Sequence, residues 1–245
     1  MRVKVILQYD GTAYHGWQLQ PNKSLPTVQA TVEQALSTLY HREIKVQASG
    51  RTDRGVHAEG QVISFDTSEE VPVARIVPAL KGILPEDIGA IRAEQVDGNF
   101  HPRYWAKKKW YRYIIYHSPV PNVFWRNYSY HVSYELDYSK MEAASSLLLG
   151  SHSFKAFSTT RTGVKTFNRE LEECSLTKKE NLLYVDLVAN GFLYNMARII
   201  VGTLLEVGRG YMAVNEIEKI IESQDRKKAG PTAPPQGLYL KKVIY

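Results

Sequence analysis

The residue of this chain best suited to carry out chemistry is Asp53, which lies between two glycines in a short loop. The segment Gly50–Gly55 has the sequence GRTDRG. Glycines allow tight turns that expose the side chains between them, and flanking arginines favour the ionised form of a carboxylate. An ionised aspartate can act as a nucleophile or a base, and Arg51 or Arg54 can contact a phosphate. The same pattern also fits an ordinary turn with surface ion pairs, so residue types alone leave both interpretations open.

No other motif in the sequence competes with this loop. The glycine patterns that bind nucleotide phosphates and the Gly-x-Ser-x-Gly pattern of hydrolases are absent. The seven histidines are scattered and Cys174 is the only cysteine, so neither a metal site nor an intrachain disulfide is predicted. His57 follows the loop, but a single histidine next to a glycine turn is more often packed than catalytic. We therefore expect an enzyme without a cofactor, or a simple binding protein.

Charge and aromatic content point to a polyanionic partner. The formal net charge is +6, and several of the 16 tyrosines lie beside basic residues, as in Arg103–Tyr113 (RYWAKKKWYRY). A basic face concentrates phosphates, and aromatic rings can stack on unpaired bases. The alternative is a basic loop leading into a half-buried strand whose rings pack in the core. No segment resembles a signal peptide or a membrane span, which favours a cytoplasmic protein.

Hydrophobic periodicity predicts strands and helices that alternate along the chain. The predicted strands are residues 2–9, 45–49, 61–66, 88–96, 111–116, two arms of a hairpin within 171–188, and 238–245. The predicted helices are residues 28–40 capped by Thr27, 73–84, 138–150 capped by Asp137, 194–207, and a last one from Asn215 to about Ser223. This order predicts an α+β (mixed α/β) protein with helices packed on a largely antiparallel sheet. It also suggests two halves, residues 1–105 and 106–245.

Six segments resemble, in the right order, the TruA family of tRNA pseudouridine synthases, and together they span essentially the whole chain. They are Tyr9–Gln18, Gly50–Ala58, Phe100–Arg103, Lys109–Tyr113, Phe192–Gly202 and Ala233–Leu238. The resemblance implies that Asp53 is the essential aspartate, Tyr111 the active-site tyrosine, and Arg198 the arginine that pairs with Asp53. Two departures are visible: Arg54 stands where alanine is common, and Ser153 stands where aspartate is common.

The resemblance also implies the architecture and the partners. It predicts the pseudouridine synthase fold, with a central antiparallel sheet, flanking helices and two pseudo-symmetric halves around a basic cleft that receives tRNA. It further implies a homodimer, no metal or organic cofactor, and no membrane partner. The expected substrates are uridines at tRNA positions 38, 39 and 40 in the anticodon stem-loop.

The chemistry that follows from this resemblance can be stated for individual residues. The target uridine must leave the helical stack, and Tyr111 is expected to stack on it. Asp53 either attacks C1′ of the ribose or removes the 2′ proton, and the sequence leaves both routes open. Arg198 would keep Asp53 ionised and oriented. Three alternatives stay open: a non-catalytic RNA-binding protein, a nucleoside hydrolase that releases uracil, and a member of the family whose choice of uridine is altered by Arg54 or neighbouring loops.

Overall fold

The computed structural model describes residues 1–19, 25–68, 71–159 and 166–245. The β-strands of these residues are β1 (Arg2–Tyr9), β2 (Gln47–Ala48), β3 (His57–Asp66), β4 (Ile88–Val96), β5 (Lys108–His117), β6 (Tyr130–Val132), β7 (Gly150–Ser153), β8 (Asn168–Lys179), β9 (Leu182–Ala189) and β10 (Leu238–Ile244). The α-helices are α1 (Val28–Tyr40), α2 (Val73–Ile83), α3 (Tyr138–Ser146), α4 (Met196–Gly208) and α5 (Glu216–Ser223). No helix in the described part of the chain is both long and apolar enough to cross a lipid bilayer.

The chain forms two compact units. Unit 1 contains residues 1–107 and 239–245, and unit 2 contains residues 108–238. The sequence suggested halves of 1–105 and 106–245 and therefore placed the closing strand in the second half. In the structure, Tyr239 and Leu240 of this strand pair in parallel with His57 and Ala58 of β3, and that pairing groups residues 239–245 with unit 1.

Unit 1 is a sheet with the strand order β4-β1-β3-β10, on which α1 and α2 contribute buried apolar residues. β1 pairs antiparallel with both β3 and β4, and β2 pairs antiparallel with β3. Val3, Val5 and Leu7 of β1 are fully buried, because alternate side chains of a strand share one face. Helix α1 begins where the Thr27 side chain accepts a hydrogen bond from the backbone N–H of Ala30, as its sequence predicts.

Unit 2 has the strand order β5-β9-β8-β7, and all three pairings are antiparallel. The short strand β6 adds to β5 in parallel. Helix α4 is apolar around most of its circumference, and eleven of its residues are buried. Such a helix must be covered on several sides, so α4 lies in the core of the unit. The prediction of an α+β protein with a largely antiparallel sheet is confirmed.

Several element boundaries differ from the prediction. β3 begins at His57 rather than Gln61, because residues 57 and 58 are recruited by the distant β10. α3 ends at Ser146 rather than Gly150, which instead has a φ of 100° and starts β7. A left-handed φ suits glycine and redirects the chain at this point. The strands β6 and β7 were not predicted, since three or four residues carry little periodic signal.

Candidate active-site residues

The loop that carries Asp53 is fixed at its start by buried polar contacts. It connects β2 to β3, and both Ser49 and Gln61 are fully buried at its base. The Ser49 hydroxyl lies 2.6 Å from Oε1 of Gln61, whose Nε2 donates to the carbonyl of Gly50 at 2.9 Å. A buried amide bonded through both its oxygen and its nitrogen has few alternative orientations. The chain therefore enters the loop in one defined position.

The middle of the loop is held by the segment Tyr9–Gln18. Thr52, directly before Asp53, is buried, and its hydroxyl lies 2.8 Å from the phenol oxygen of Tyr9. The backbone N–H of Trp17 donates to the Thr52 carbonyl at 3.0 Å. Burial raises the pKa of Tyr9, so its hydroxyl stays neutral. The first motif of the sequence thus supports the aspartate loop.

Gly16 allows the closest approach to the loop. Its φ is 81°, and a Cβ at this position would lie 2.6 Å from the Thr52 carbonyl oxygen and 3.0 Å from the carbonyl carbon of Asp53. Any side chain would therefore displace the backbone that carries Asp53. Sequence reasoning did not assign Gly16 a role, although its place in the Tyr9–Gln18 motif was the available signal.

A tight turn then carries the chain from Asp53 into β3. The N–H of Val56 donates to the Asp53 carbonyl at 3.1 Å, and Gly55 has a φ of 76°. Asp53 itself is half-buried, whereas Arg51 and Arg54 are exposed on either side of it. The loop therefore has a fixed backbone, a half-buried aspartate and two exposed cations, which is an arrangement suited to a phosphate-containing substrate.

His57 is part of the packing beneath the loop. It is 2% exposed, and its Nδ1 accepts a hydrogen bond of 3.1 Å from the N–H of Gly11. Its ring stacks on that of Tyr239 with the centroids 4.7 Å apart. These contacts confirm that His57 is packed, whereas its absence from the chemistry stays a prediction.

In unit 2, Tyr111 lies on β5, next to a second aromatic ring. It is 8% exposed, and the Phe192 ring meets it edge-to-face with centroids 4.8 Å apart. Its neighbours Trp110 and Arg112 point to the opposite face of the strand and both bond Asp186. The indole N–H donates at 2.6 Å and the guanidinium donates twice, at 2.9 and 2.8 Å. This bidentate pair fixes the orientation of β5 and hence the face that presents Tyr111.

Arg198 is held in the first turn of α4 by the residue that precedes this helix and by a distant carbonyl. Its Nε donates to the carbonyl of Ala233 at 2.7 Å, and its Nη1 donates to Oδ1 of Asn195 at 3.1 Å. Asn195 adopts a left-handed conformation with a φ of 63°, and its Nδ2 donates to Thr159. Asparagine tolerates this conformation better than most residues. The guanidinium is thus oriented by groups that sequence reasoning did not identify, although both lie in the quoted motifs.

The segment 230–234 contacts both α4 and β5 and so connects the two elements. It packs against the helix so closely that a Cβ on Gly202 would lie 1.8 Å from the Pro231 carbonyl oxygen. The N–H of Ala233 donates to the Arg198 carbonyl at 3.1 Å, and the buried Tyr113 hydroxyl donates to the Pro234 carbonyl at 2.7 Å. Arg198 and the buried face of β5 are therefore parts of one connected structure.

The predicted site residues thus fall into two sets. Asp53, Arg51 and Arg54 share one loop of unit 1, and Tyr111 and Arg198 lie on neighbouring elements of unit 2. The pairing of Arg198 with Asp53 stays a prediction. Among the described residues, no group of three or more His, Cys, Asp or Glu side chains is placed to hold a metal ion. Ser153 is half-buried at the end of β7, opposite Asn168.

A comparison with known families gives the class of protein to which this chain belongs. The family model described as tRNA pseudouridine synthase matches residues 5–105 and 144–245. The match includes Asp53 and Arg198, whereas Tyr111 lies between its two parts. This chain belongs to the tRNA pseudouridine synthase family, whose members are isomerases.

Relatives that align with nearly the whole length of this chain indicate the same family. The chain is 47% identical to a protein named tRNA pseudouridine synthase A from Moorella thermoacetica over 243 residues, which are 99% of each chain. It is also 47% identical to the proteins of that name from Acetivibrio thermocellus, over 243 residues and 99% of each chain, and from Bacillus licheniformis, over 247 residues that cover the whole of this chain and 99% of the relative.

Proposed function

We propose that this protein converts uridine to pseudouridine at positions 38, 39 and 40 of tRNA, with Asp53 as the catalytic carboxylate. The observation that carries this proposal is the loop of Asp53, whose backbone is fixed by Thr52, Gly16 and Gln61 while Asp53 itself is only half-buried. Pre-organised catalytic groups of this kind lower the entropy that must be lost when the reacting atoms are aligned. The 47% identity to the relatives supports the choice of reaction.

The reaction breaks the bond between ribose C1′ and N1 of uracil and forms a bond between C1′ and C5. Two routes are compatible with a carboxylate at residue 53. Asp53 forms a bond to C1′ as N1 leaves, as in retaining glycosidases, or it removes the 2′ proton and a glycal forms. In both routes the detached uracil turns over within the pocket and its C5 bonds to C1′. The Asp53–C1′ bond breaks at this step in the first route, and the 2′ carbon regains its proton in the second. The C5 proton then leaves and N1 takes up a proton, so the product is an isomer of the substrate.

Arg198 is proposed to pair with Asp53 and to keep it ionised. Its Nε and Nη1 are already oriented by Ala233 and Asn195. A guanidinium held in this way presents its remaining N–H groups in a fixed plane, and a planar fork suits a carboxylate. The same contacts support the role that the resemblance implies for Arg198.

Tyr111, Arg51 and Arg54 are proposed to bind the substrate. The edge-to-face contact with Phe192 holds the Tyr111 ring in one orientation, which suits stacking on the target base. The exposed side chains of Arg51 and Arg54 are proposed to contact tRNA phosphates, so their contribution should weaken as the salt concentration rises. From the same resemblance, we propose that the protein acts in the cytoplasm as a homodimer, with a basic cleft that receives tRNA and without a cofactor.

The substitution Asp53→Asn tests the catalytic assignment. We expect no pseudouridine in a tRNA transcript, mapped by chemical modification and primer extension, while the Kd for tRNA stays within about tenfold of the wild-type value. Asp66→Asn is the matched control, because it removes the same charge from the other end of β3, where Asp66 makes a surface ion pair with Arg2. Turnover by purified Asp53→Asn would refute the assignment, and release of free uracil by the wild type would favour a nucleoside hydrolase.

A second measurement distinguishes the two routes. Transcripts with deuterium at the 2′ carbon of the target uridine should react more slowly if Asp53 removes the 2′ proton in a rate-limiting step. Equal single-turnover rates with protium and deuterium are expected if Asp53 attacks C1′.

The Tyr111→Phe and Tyr111→Ala variants test the role of Tyr111. Stacking predicts a strong loss of turnover only for alanine, whereas an equal loss of turnover in both variants would argue for a role of the hydroxyl.

A further inference from the structure

Three consecutive residues of unit 1 form an exposed surface that the proposed chemistry does not use. Arg103, Tyr104 and Trp105, which we call the aromatic platform, follow β4 in the chain. Tyr104 is 75% exposed and Trp105 is 48% exposed. Large aromatic side chains usually contribute to cores or to interfaces, because their burial removes much apolar area from water. Two adjacent exposed rings therefore indicate a surface that another molecule covers.

The platform has a defined conformation. The Nδ1 atom of His101 accepts hydrogen bonds from the N–H groups of Arg103, at 3.1 Å, and Tyr104, at 3.4 Å, and the His101 carbonyl accepts one from Trp105 at 3.0 Å. The His101 ring lies 4.2 Å from the Tyr104 ring, and the buried Phe100 ring lies 5.5 Å from that of Trp105. Because these contacts already order the rings, a ligand that stacks on them loses little additional entropy.

The histidine that organises the platform is kept in the required protonation state. Nδ1 can accept hydrogen bonds only when it carries no proton. Burial, together with the positive charge of Arg2, lowers the pKa of His101 below its usual value. The turn is therefore stable at neutral pH, where His101 is uncharged.

The charges at the platform favour an anionic ligand. The Arg103 guanidinium lies 5.8 Å from the centre of the Tyr104 ring, and both Arg103 and Lys107 are exposed. No ion pair between described residues involves Arg103 or Lys107. Exposed cations next to exposed rings match the chemistry of nucleic acid, in which each base carries a π-face and each linkage a phosphate.

The strand register places the platform far from Asp53. Tyr9, at the end of β1, pairs with Ala58 beside the aspartate loop. Arg2, at the other end of β1, pairs with Val96, from which the chain runs on to the platform. Lys4 lies close to this end as well, with its Nζ 5.6 Å from the Phe100 ring. The seven residue-to-residue steps from Arg2 to Tyr9 span about 23 Å.

We propose that the aromatic platform binds an unpaired base and an adjacent phosphate of tRNA, about 20 Å from the uridine that is modified. The proposal rests on the proposed function, because tRNA is the RNA in question. A tRNA is long enough to reach both places, and the second contact would orient the substrate before the target base leaves the stack. Tyr104 and Trp105 supply the stacking surface, and Arg103 binds the phosphate.

The test uses the full-length protein and an unmodified tRNA transcript, with Kd measured by fluorescence anisotropy. Tyr104→Leu should weaken binding roughly 5- to 150-fold, which corresponds to the loss of one stacked base. Tyr104→Phe keeps the ring and should retain wild-type affinity within twofold. Arg103→Ala should reduce the slope of log K against log salt by about one. The losses are expected in Kd and KM rather than in the rate at saturating tRNA, since the platform is far from the reacting atoms.

Tyr211→Leu is the matched control. Tyr211 is 72% exposed and lies against Arg209, whose guanidinium is 3.9 Å from the ring centre, so it reproduces the Arg–Tyr pair in unit 2. The Tyr211→Leu variant should bind tRNA with the same Kd as the wild type. Circular dichroism and thermal melting of each variant will show whether it is folded.

Three results would overturn the proposal. They are unchanged affinity in folded Tyr104→Leu, an equal loss in the Tyr211→Leu control, and a change of oligomeric state in Tyr104→Leu with tRNA affinity kept. The last result would assign the surface to contact between copies of this chain. If the wild-type protein binds tRNA without forming pseudouridine, the proposed function is contradicted. The affinity measurements on the platform variants would still test whether the platform binds tRNA.

Discussion

Replacing Gly16 with alanine tests whether backbone contacts beneath Asp53 determine catalysis. Gly16 has a φ of 81°, and its absent side chain lets the chain lie directly against the aspartate loop. A Cβ there would be 2.6 Å from the Thr52 carbonyl oxygen, a distance that real Cβ atoms essentially never show. Alanine should therefore move the loop without removing any group that takes part in the chemistry.

The size of the effect follows from these distances. Restoring a separation of 3.0–3.4 Å requires a displacement of about 0.4–0.8 Å next to Asp53. Because a misplacement of about 1 Å can cost roughly 100-fold in rate, we expect a loss of about 10- to 100-fold. A left-handed alanine also costs about 1–2 kcal/mol of stability. For a protein of this size, that corresponds to a fall in Tm of roughly 2–8 °C.

The assay is single-turnover pseudouridine formation at saturating tRNA, with Tm measured in parallel. Gly210→Ala is the matched control: Gly210 has a φ of 79° but its Cβ would meet no described heavy atom within 4 Å. It should lose similar stability and keep its rate. A wild-type rate in Gly16→Ala, or an equal loss of rate in Gly210→Ala, would show that the contact does not position Asp53.

Three further predictions concern stability and reactivity. Tyr113→Phe leaves the Pro234 carbonyl without its donor and should cost about 1–3 kcal/mol, measured as a lower Tm; an unchanged Tm would show that the bond contributes nothing. Gly82→Ala, near the end of α2 with open space around its Cβ, should stabilise the protein by about 0.5–1 kcal/mol and raise Tm. Burial raises the pKa of the Cys174 thiol to about 12. The native thiol should therefore react far more slowly with a disulfide reagent at pH 8 than the denatured chain, and equal rates would contradict its burial. Since the unfolded thiol releases its proton first, stability should fall as pH rises from about 9 towards 12.

Local patterns in the sequence were sufficient for the elements that local forces dominate. The alternation in β1 and the Thr27 cap of α1 gave their boundaries, since side-chain period and capping act over a few residues. The two arms of the β8–β9 hairpin were likewise visible from their pattern. For Asp53, residue types alone allowed a surface turn as well as a catalytic loop, and the family resemblance chose between them.

Contacts between distant residues decided the rest. β3 begins at His57 because β10, about 180 residues later, pairs with it, and no local pattern encodes that pairing. Gly16 supports Asp53, and the Ala233 carbonyl orients Arg198, only because the folded chain brings these segments together. The sequence thus identified the residue proposed for the chemistry, and the tertiary structure revealed the backbone and amide groups that hold its loop in place.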